Sequence, residues 1–289
     1  MLVPLSSSIG MIDTHQFGRM RAGAAYYLHG TRHALIETGT SLSTPYIVRA
    51  LPDVELDYIF VTHVHLDHAG GAGKLVRRYP HTSVIVHPRG RKHLIDPSRL
   101  VESVRAATGE MFSLYGEAIP IDVERVHEAD DAERFDLGDG VIIEAIYSPG
   151  HAPHHLCFFE QKERILFAGD AAGAFRNGIL YCTTPPPSFN LEASLETIKR
   201  LRSLHPKWIF YTHFGPADDA DSLLASYADL LKRWVEKIDT LREKMSASDL
   251  IDSVLADSSL IPSGFDEALR PELAMSVRGV LSYLEHKTQ

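Results

Sequence analysis

A chain of 289 residues, 44% hydrophobic and 23% charged, has the composition of an ordinary soluble globular protein, with material for one large domain and an appendage or for two modest domains. Its formal net charge of −9 argues against a nucleic-acid footprint, which would show a basic excess, and its two cysteines make no disulfide framework, so a reducing cytoplasm is expected. No run of about 18 apolar residues occurs, and Met1–Ser8 lacks a basic region followed by a continuous apolar one, so neither a membrane span nor a secretory signal is expected.

In chain order, Ala24–Leu28 and His33–Glu37 read as a hairpin joined around Gly30. Tyr58–Val61 is apolar and rich in β-branched and aromatic residues, which predicts a buried strand. Thr62-His63-Val64-His65-Leu66-Asp67-His68 follows at once and places four candidate metal ligands on the turn leaving that strand. Alternation puts His63 and His65 on one side of an extended segment, and the next bend can aim Asp67 and His68 at a neighbouring point. One short loop can thus feed two metal ions. Imidazole with carboxylate suits zinc and other first-row divalent metals, whereas calcium and magnesium prefer oxygen shells.

Ala69–Arg78 reads as a helix leaving this loop, Ser83–His87 as a strand, and residues 89 to about 117 as a mostly helical insertion. Three further apolar runs each end in a candidate ligand. Val141–Tyr147 leads to Ser148-Pro149-Gly150-His151, Arg164–Ala168 to Gly169-Asp170, and Lys207–Tyr211 to Thr212-His213. Four strands therefore deliver ligands to one sheet edge, where open α/β folds place their sites. Leu191, Leu195, Ile198 and Leu201 recur at helical spacing over 191–204. From Asp218 to His286 the chain is helix-like, with an apolar stripe of Leu223, Leu224, Leu230, Leu231, Trp234 and Ile238, and with Ser263-Gly264 and Arg270-Pro271 as later punctuation. A stripe of that size needs the core or a second subunit as partner, which makes a homodimer an expectation.

The order His63-x-His65-x-Asp67-His68, His151, Asp170, His213 resembles the metallo-β-lactamase-fold hydrolases, in the branch of glyoxalase II and the lactonases. The resemblance covers roughly residues 20 to 215. It implies an α/β fold, the αβ/βα metallo-β-lactamase sandwich, with a catalytic core over 1–216 and a C-terminal helical extension over 217–289. It implies two divalent metal ions, zinc first, with iron or manganese as alternatives. His63, His65 and His151 would hold one ion, Asp67, His68 and His213 the other, and Asp170 would bridge them. Two ions about 3.5–4 Å apart can share a hydroxide and lower its pKa toward neutrality. Asp67 would both ligate and orient the attacking water. The implied activity is hydrolysis of a small-molecule ester, lactone or thioester. A phosphodiester or β-lactam is the alternative substrate, and a mononuclear iron persulfide dioxygenase, using His63, His151 and Asp170, is the alternative chemistry. A flavodiiron protein would have Glu in place of His65 and a flavin domain for which the chain has no room.

The chain departs from the family at several points. Glu37-Thr38-Gly39 stands where Asp-Thr-Gly is usual, and Ala171-Ala172-Gly173 lacks the tyrosine that often follows the bridging aspartate in lactonases. His154 replaces a usual glycine, while His155 fits a residue that positions ligands. Phe175, Tyr181 and Phe189 bracket the stiff Thr183-Thr184-Pro185-Pro186-Pro187 segment and are the candidate substrate-binding residues, with Phe17, Met20 and Tyr26 as a possible opposite wall. Lys232, Arg233 and Lys237 alternate with Asp229, Glu236 and Asp239, the pattern of a solvated helix face. Cys157 and Cys182 read as buried structural thiols.

Overall fold

The computed structural model describes residues 1–262 and 265–287. The expected break at Ser263-Gly264 lies outside the described residues. A seven-stranded sheet runs in sequence order: β1 (Leu2–Pro4), β2 (Ile9–Asp13), β3 (Ala24–His29), β4 (His33–Ile36), β5 (Tyr58–Phe60), β6 (Ser83–Val86) and β7 (Val126–Glu128). On its outer face lie α1 (Thr44–Ala50), α2 (Ala72–Arg78), α3 (Pro88–Ile95) and α4 (Ser98–Thr108). The second sheet holds β8 (Arg134–Asp136), β9 (Ile142–Tyr147), β10 (Leu156–Glu160) and β11 (Ile165–Gly169); a separate hairpin, β12 (Ala174–Arg176) and β13 (Ile179–Tyr181), follows. After α5 (Leu191–Ser203), β14 (Trp208–Tyr211) and β15 (Gly215–Ala217) complete that sheet in the order β15-β14-β11-β10-β9-β8. The chain ends in α6 (Ala220–Arg242), α7 (Ala247–Leu255) and α8 (Arg270–Lys287).

Period-two alternation builds the layers. In β3, Ala24, Tyr26 and Leu28 face the second sheet, while Ala25 and Tyr27 face the outer helices. In β10, Leu156 and Phe158 meet the first sheet, and Cys157 and Phe159 meet α5 to α8. Two apolar faces on each sheet give four layers, helix–sheet–sheet–helix, which is the expected sandwich.

The expected 216/217 boundary falls inside β15, and Leu224, Trp234, Ile238, Val254 and Val277 share one core with Ile209 and Tyr211 of the second sheet. The apolar stripe of the C-terminal segment is therefore covered by the chain's own core. Cys157 and Cys182 are free and buried, and burial pushes the Cys157 thiol up to about 12. No described helix is long and apolar enough to cross a membrane.

Candidate metal centre and its cleft

The site lies where β5, β9, β11 and β14 end. His63, His65, Asp67 and His68 leave β5; His151 follows β9; Asp170 follows β11; His213 follows β14. Gly169 makes the Asp170 turn possible, since at φ +50 a Cβ there would approach His155 Nε2 and Thr62 Oγ1 at 2.7 Å.

Ligand atoms of His63, His65 and His151 lie within 4.8 Å of one another, as do those of His63, His68 and Asp170, and those of Asp67, His68 and His213. His63 Nε2 is 2.9 Å from His65 Nδ1, and His151 Nε2 is 3.2 and 3.1 Å from those two atoms. His213 Nε2 and His68 Nε2 stand 3.2 Å apart. Asp170 spans both groups: Oδ1 is 3.5 Å from His68 Nε2 and from His213 Nε2, and Oδ2 is 3.4 Å from His151 Nε2. Asp67 Oδ2 is 3.6 Å from His68 Nε2 and His213 Nε2 and accepts from Gln16 Nε2 at 3.5 Å.

Outer hydrogen bonds fix which nitrogen faces inward. A backbone carbonyl only accepts, so His151 Nδ1 donates to Thr183 O at 2.8 Å, and His213 Nδ1 donates to Ala22 O at 3.0 Å. Each leaves the Nε2 lone pair pointing into the site. Thr62 Oγ1 donates to Glu37 Oε1 at 2.5 Å and so accepts from His63 Nδ1 at 3.0 Å, turning His63 Nε2 inward as well. Glu37 Oε1 also faces His68 Nδ1 at 3.3 Å. The unusual Glu37 is thus the carboxylate behind two histidines, reaching them from a left-handed backbone at φ +70. His155 Nε2 accepts from the Asp170 backbone N–H at 3.1 Å and holds the Asp170 turn.

Burial, reinforced by the neighbouring imidazoles, drives the pKa values of His63 and His65 well below the usual histidine range. Burial works to raise the Asp170 pKa, but His68, His151 and His213 overcome it and hold the carboxyl well below the usual range. Converging imidazole lone pairs repel each other unless a cation lies between them, and Asp170 Oδ1, which faces them, is buried without a hydrogen-bond partner. A donor set of nitrogen and carboxylate oxygen, with an unmatched buried oxygen, fits divalent metal.

A profile of the metallo-beta-lactamase superfamily matches residues 18–213. The chain belongs to that superfamily. The superfamily consists mostly of hydrolytic enzymes and typically binds divalent metals. The sequence is 36% identical over 165 residues to the metallo-beta-lactamase fold-containing protein ST1585 of Sulfurisphaera tokodaii, covering 56% of this chain and 61% of that one. The crystal structure of ST1585, described as an archaeal metallo-beta-lactamase superfamily protein from Sulfolobus tokodaii, superposes with a TM-score of 0.75 at 27% identity, over 96% of this chain and 99% of that one. An atrochrysone carboxyl ACP thioesterase of Aspergillus terreus is 28% identical over 158 residues, 51% of this chain and 38% of that relative. The chain thus spans about three-fifths and less than two-fifths of the lengths of these two sequence relatives.

A cleft of about 390 Å³ opens onto His65, Asp67, His151, Asp170 and His213. Its walls correct the expected substrate residues. Phe175 is not among them: Ala174 pairs with Tyr181 across the hairpin and both face the cleft, so alternation turns Phe175 to the other side, onto Tyr211 at 5.4 Å. Phe189 is only 3% exposed and packs edge-on against Tyr283 of α8. Tyr26 lies in the core with its hydroxyl on Tyr211 O, and Met20 lines a separate depression, which leaves Phe17 and Tyr181 in the cleft. The principal walls are two helical faces, Val104, Ala107 and Met111 from α4 and the turn that follows it, and Pro271, Ala274, Met275 and Arg278 on α8. Their recurrence at three or four residues was the available signal. Lys232 and Lys237 pair with Asp229 and Asp257 on an exposed helix face.

Proposed function

We propose that this chain is a dinuclear metal-dependent hydrolase of thioesters with an apolar acyl group. The observation that carries this reading is the apolar cleft opening directly onto five of the seven converged ligand residues. His63, His65 and His151 would hold one ion and Asp67, His68 and His213 the second, with Asp170 within reach of both groups. Two divalent ions, zinc by the donor set and iron or manganese as alternatives, would supply Lewis acidity and water activation there. Asp67, whose side chain is 23% exposed and faces the cleft, is placed to orient the attacking water and to carry a proton toward the departing sulfur. A thiol leaving group of pKa about 8.5 needs less acid assistance than an alkoxide, which suits a cleft whose other carboxylate, Glu272, is tied to Arg19 and Arg176. The α4 and α8 faces hold the acyl chain and exclude water around it.

The thioesterase named among the relatives points the same way. The filled second ligand set, Asp67, His68 and His213, favours two ions over the single iron of a dioxygenase. A panel of thioesters, lactones, phosphodiesters and β-lactams sharing an apolar group tests the proposal. The thioester should have the highest kcat/KM, and a phosphodiester or β-lactam turned over faster would overturn it.

A further inference from the structure

A second depression lies beside the metal loop on its α3 side, lined by none of the seven candidate ligands themselves. Helix α3 packs directly against the metal loop because residue 90 is glycine; a Cβ there would stand 2.9 Å from Val64 Cγ1 and from Val86 Cγ2. Between α3 and the loop after His151 lies a groove of about 510 Å³, lined by Arg89, Arg91, Lys92, His93, His154 and Ser188 among others. At its inner end the His154 ring meets His65 at 5.9 Å between centroids, and toward the groove it meets His93 at 6.3 Å. His154 Nδ1 is buried with no hydrogen-bond partner. One short segment borders both depressions: Pro185 and Pro186 line the apolar cleft, and Ser188 lines the groove.

The charge of the groove runs against that of the chain. The protein carries a net −9, yet the groove presents three permanent cations against one carboxylate, Glu128. Glu128 is taken by Arg91 at 3.5 Å, and Arg91 also donates to Val123 O. Arg89 and Lys92 form no ion pair among the described residues. Two uncompensated cations beside the half-buried His154 imidazole in a concave site form a receptor for a phosphate-type anion.

A thioester has two halves that differ in just this way. Resting on the thioester reading above, we propose that the α3 groove is the subsite for a phosphorylated thiol leaving group of the phosphopantetheine type, while the acyl chain occupies the α4–α8 cleft. The reaction balances as hydrolysis: water oxygen bonds to the acyl carbon, the C–S bond breaks with its electron pair going to sulfur, and one water proton ends on the thiol. Products are a carboxylic acid and the free phosphorylated thiol, and no oxidant or reductant is consumed. The phosphates act only in binding and positioning, so Arg89 and Lys92 are specificity residues.

The test compares one apolar acyl group on coenzyme A, on 4′-phosphopantetheine, on a phosphopantetheinylated acyl-carrier protein and on N-acetylcysteamine, which has no phosphate. The metal-loaded wild type should prefer the phosphorylated carriers by about 10–100-fold in kcat/KM, with the preference shrinking as salt rises. The doubly substituted Arg89→Ala, Lys92→Ala protein should lose most of that preference while its N-acetylcysteamine rate stays within about twofold, as expected for exposed side chains outside the metal site. The best of the three phosphorylated carriers identifies the source of the thiol. Equal wild-type rates with and without phosphate, or equal losses on all carriers in the variant, would overturn the subsite. Titration of coenzyme A itself into both proteins by calorimetry reads the groove without turnover. If the wild type cleaves none of the thioesters, the catalytic reading fails on its own, while the subsite stands or falls on whether the variant weakens coenzyme A binding.

Discussion

Glu37→Gln isolates the electrostatic contribution of the carboxylate behind the metal ligands. The amide has nearly the same shape and keeps an acceptor oxygen where Oε1 receives Thr62 Oγ1 at 2.5 Å and faces His68 Nδ1 at 3.3 Å. Glutamine meets the same backbone penalty at φ +70, so the main change is loss of charge. Hydrogen bonds to a charged group contribute about 1.5–3 kcal/mol against about 0.5–1.5 kcal/mol for neutral ones, so the Thr62 hydrogen bond weakens by roughly 1 kcal/mol, and the 3.3 Å charge contact with His68 is lost. The His68 contact is direct, and that to His63 passes through Thr62, so the combined affinity for two ions should fall by about 10–100-fold, or about 1.4–2.7 kcal/mol. Competition titration of metal-stripped protein against a chelator resolves the two binding steps. Thr62→Val should perturb chiefly the step involving His63. Unchanged affinity in both steps of Glu37→Gln would refute the assignment of Glu37 as the carboxylate that orients His68 and His63.

Other expectations follow from the same geometry. Asp170→Ala removes the only residue among those described whose two oxygens reach both histidine groups, and should abolish turnover and at least one metal equivalent while circular dichroism stays native; Asp67→Asn should retain more metal and still lower kcat by about 10²–10⁴-fold, as loss of a proton-transfer group does. Phe189→Ala should cost about 3–5 kcal/mol of stability by denaturant unfolding, with KM for apolar thioesters unchanged, whereas Met275→Ala on the cleft wall should raise that KM and cost less stability. The Lys287 ammonium and the Tyr283 hydroxyl hold the Glu192 carboxyl down to about 2, linking α5 to α8. A depressed carboxyl contributes stability above its unfolded pKa of about 4.3, and that contribution is lost as pH falls through the folded value. Glu192→Gln should therefore destabilise by less than about 1 kcal/mol near neutrality, because the pair is largely exposed, and the difference should vanish toward pH 2 in urea melts.

The convergence of the candidate ligands was legible in the sequence because His63, His151, Asp170 and His213 each follow a strongly apolar strand within one to four residues, and strand ends collect at one edge of a sheet. Local pattern therefore carried most of the three-dimensional information for His63, His151, Asp170 and His213. Glu37 was visible only as a departure from a usual Asp; its reach to both His63 and His68 depends on a left-handed backbone that no local pattern announces. The cleft walls differ from the expected residues for a physical reason. Proximity to Asp170 in sequence suggested Phe175 and Phe189, yet strand alternation and packing against α8 turn both into the core. The cleft is lined instead from α4 with the turn after it and from α8, segments far apart in sequence, and which of their faces meets the cleft is decided by tertiary docking. The strands β1, at the sheet edge, and β2 beside it were missed because they are short and flank a serine run.

Stepwise return of zinc to metal-stripped protein, with hydrolysis of an apolar thioester followed at each step and metal content measured in parallel, tests the central claim most directly. The account predicts activity that rises steeply only as the second equivalent binds and levels off at two ions per chain. Full activity at one ion per chain, or turnover that requires a single iron and consumes oxygen, would contradict it.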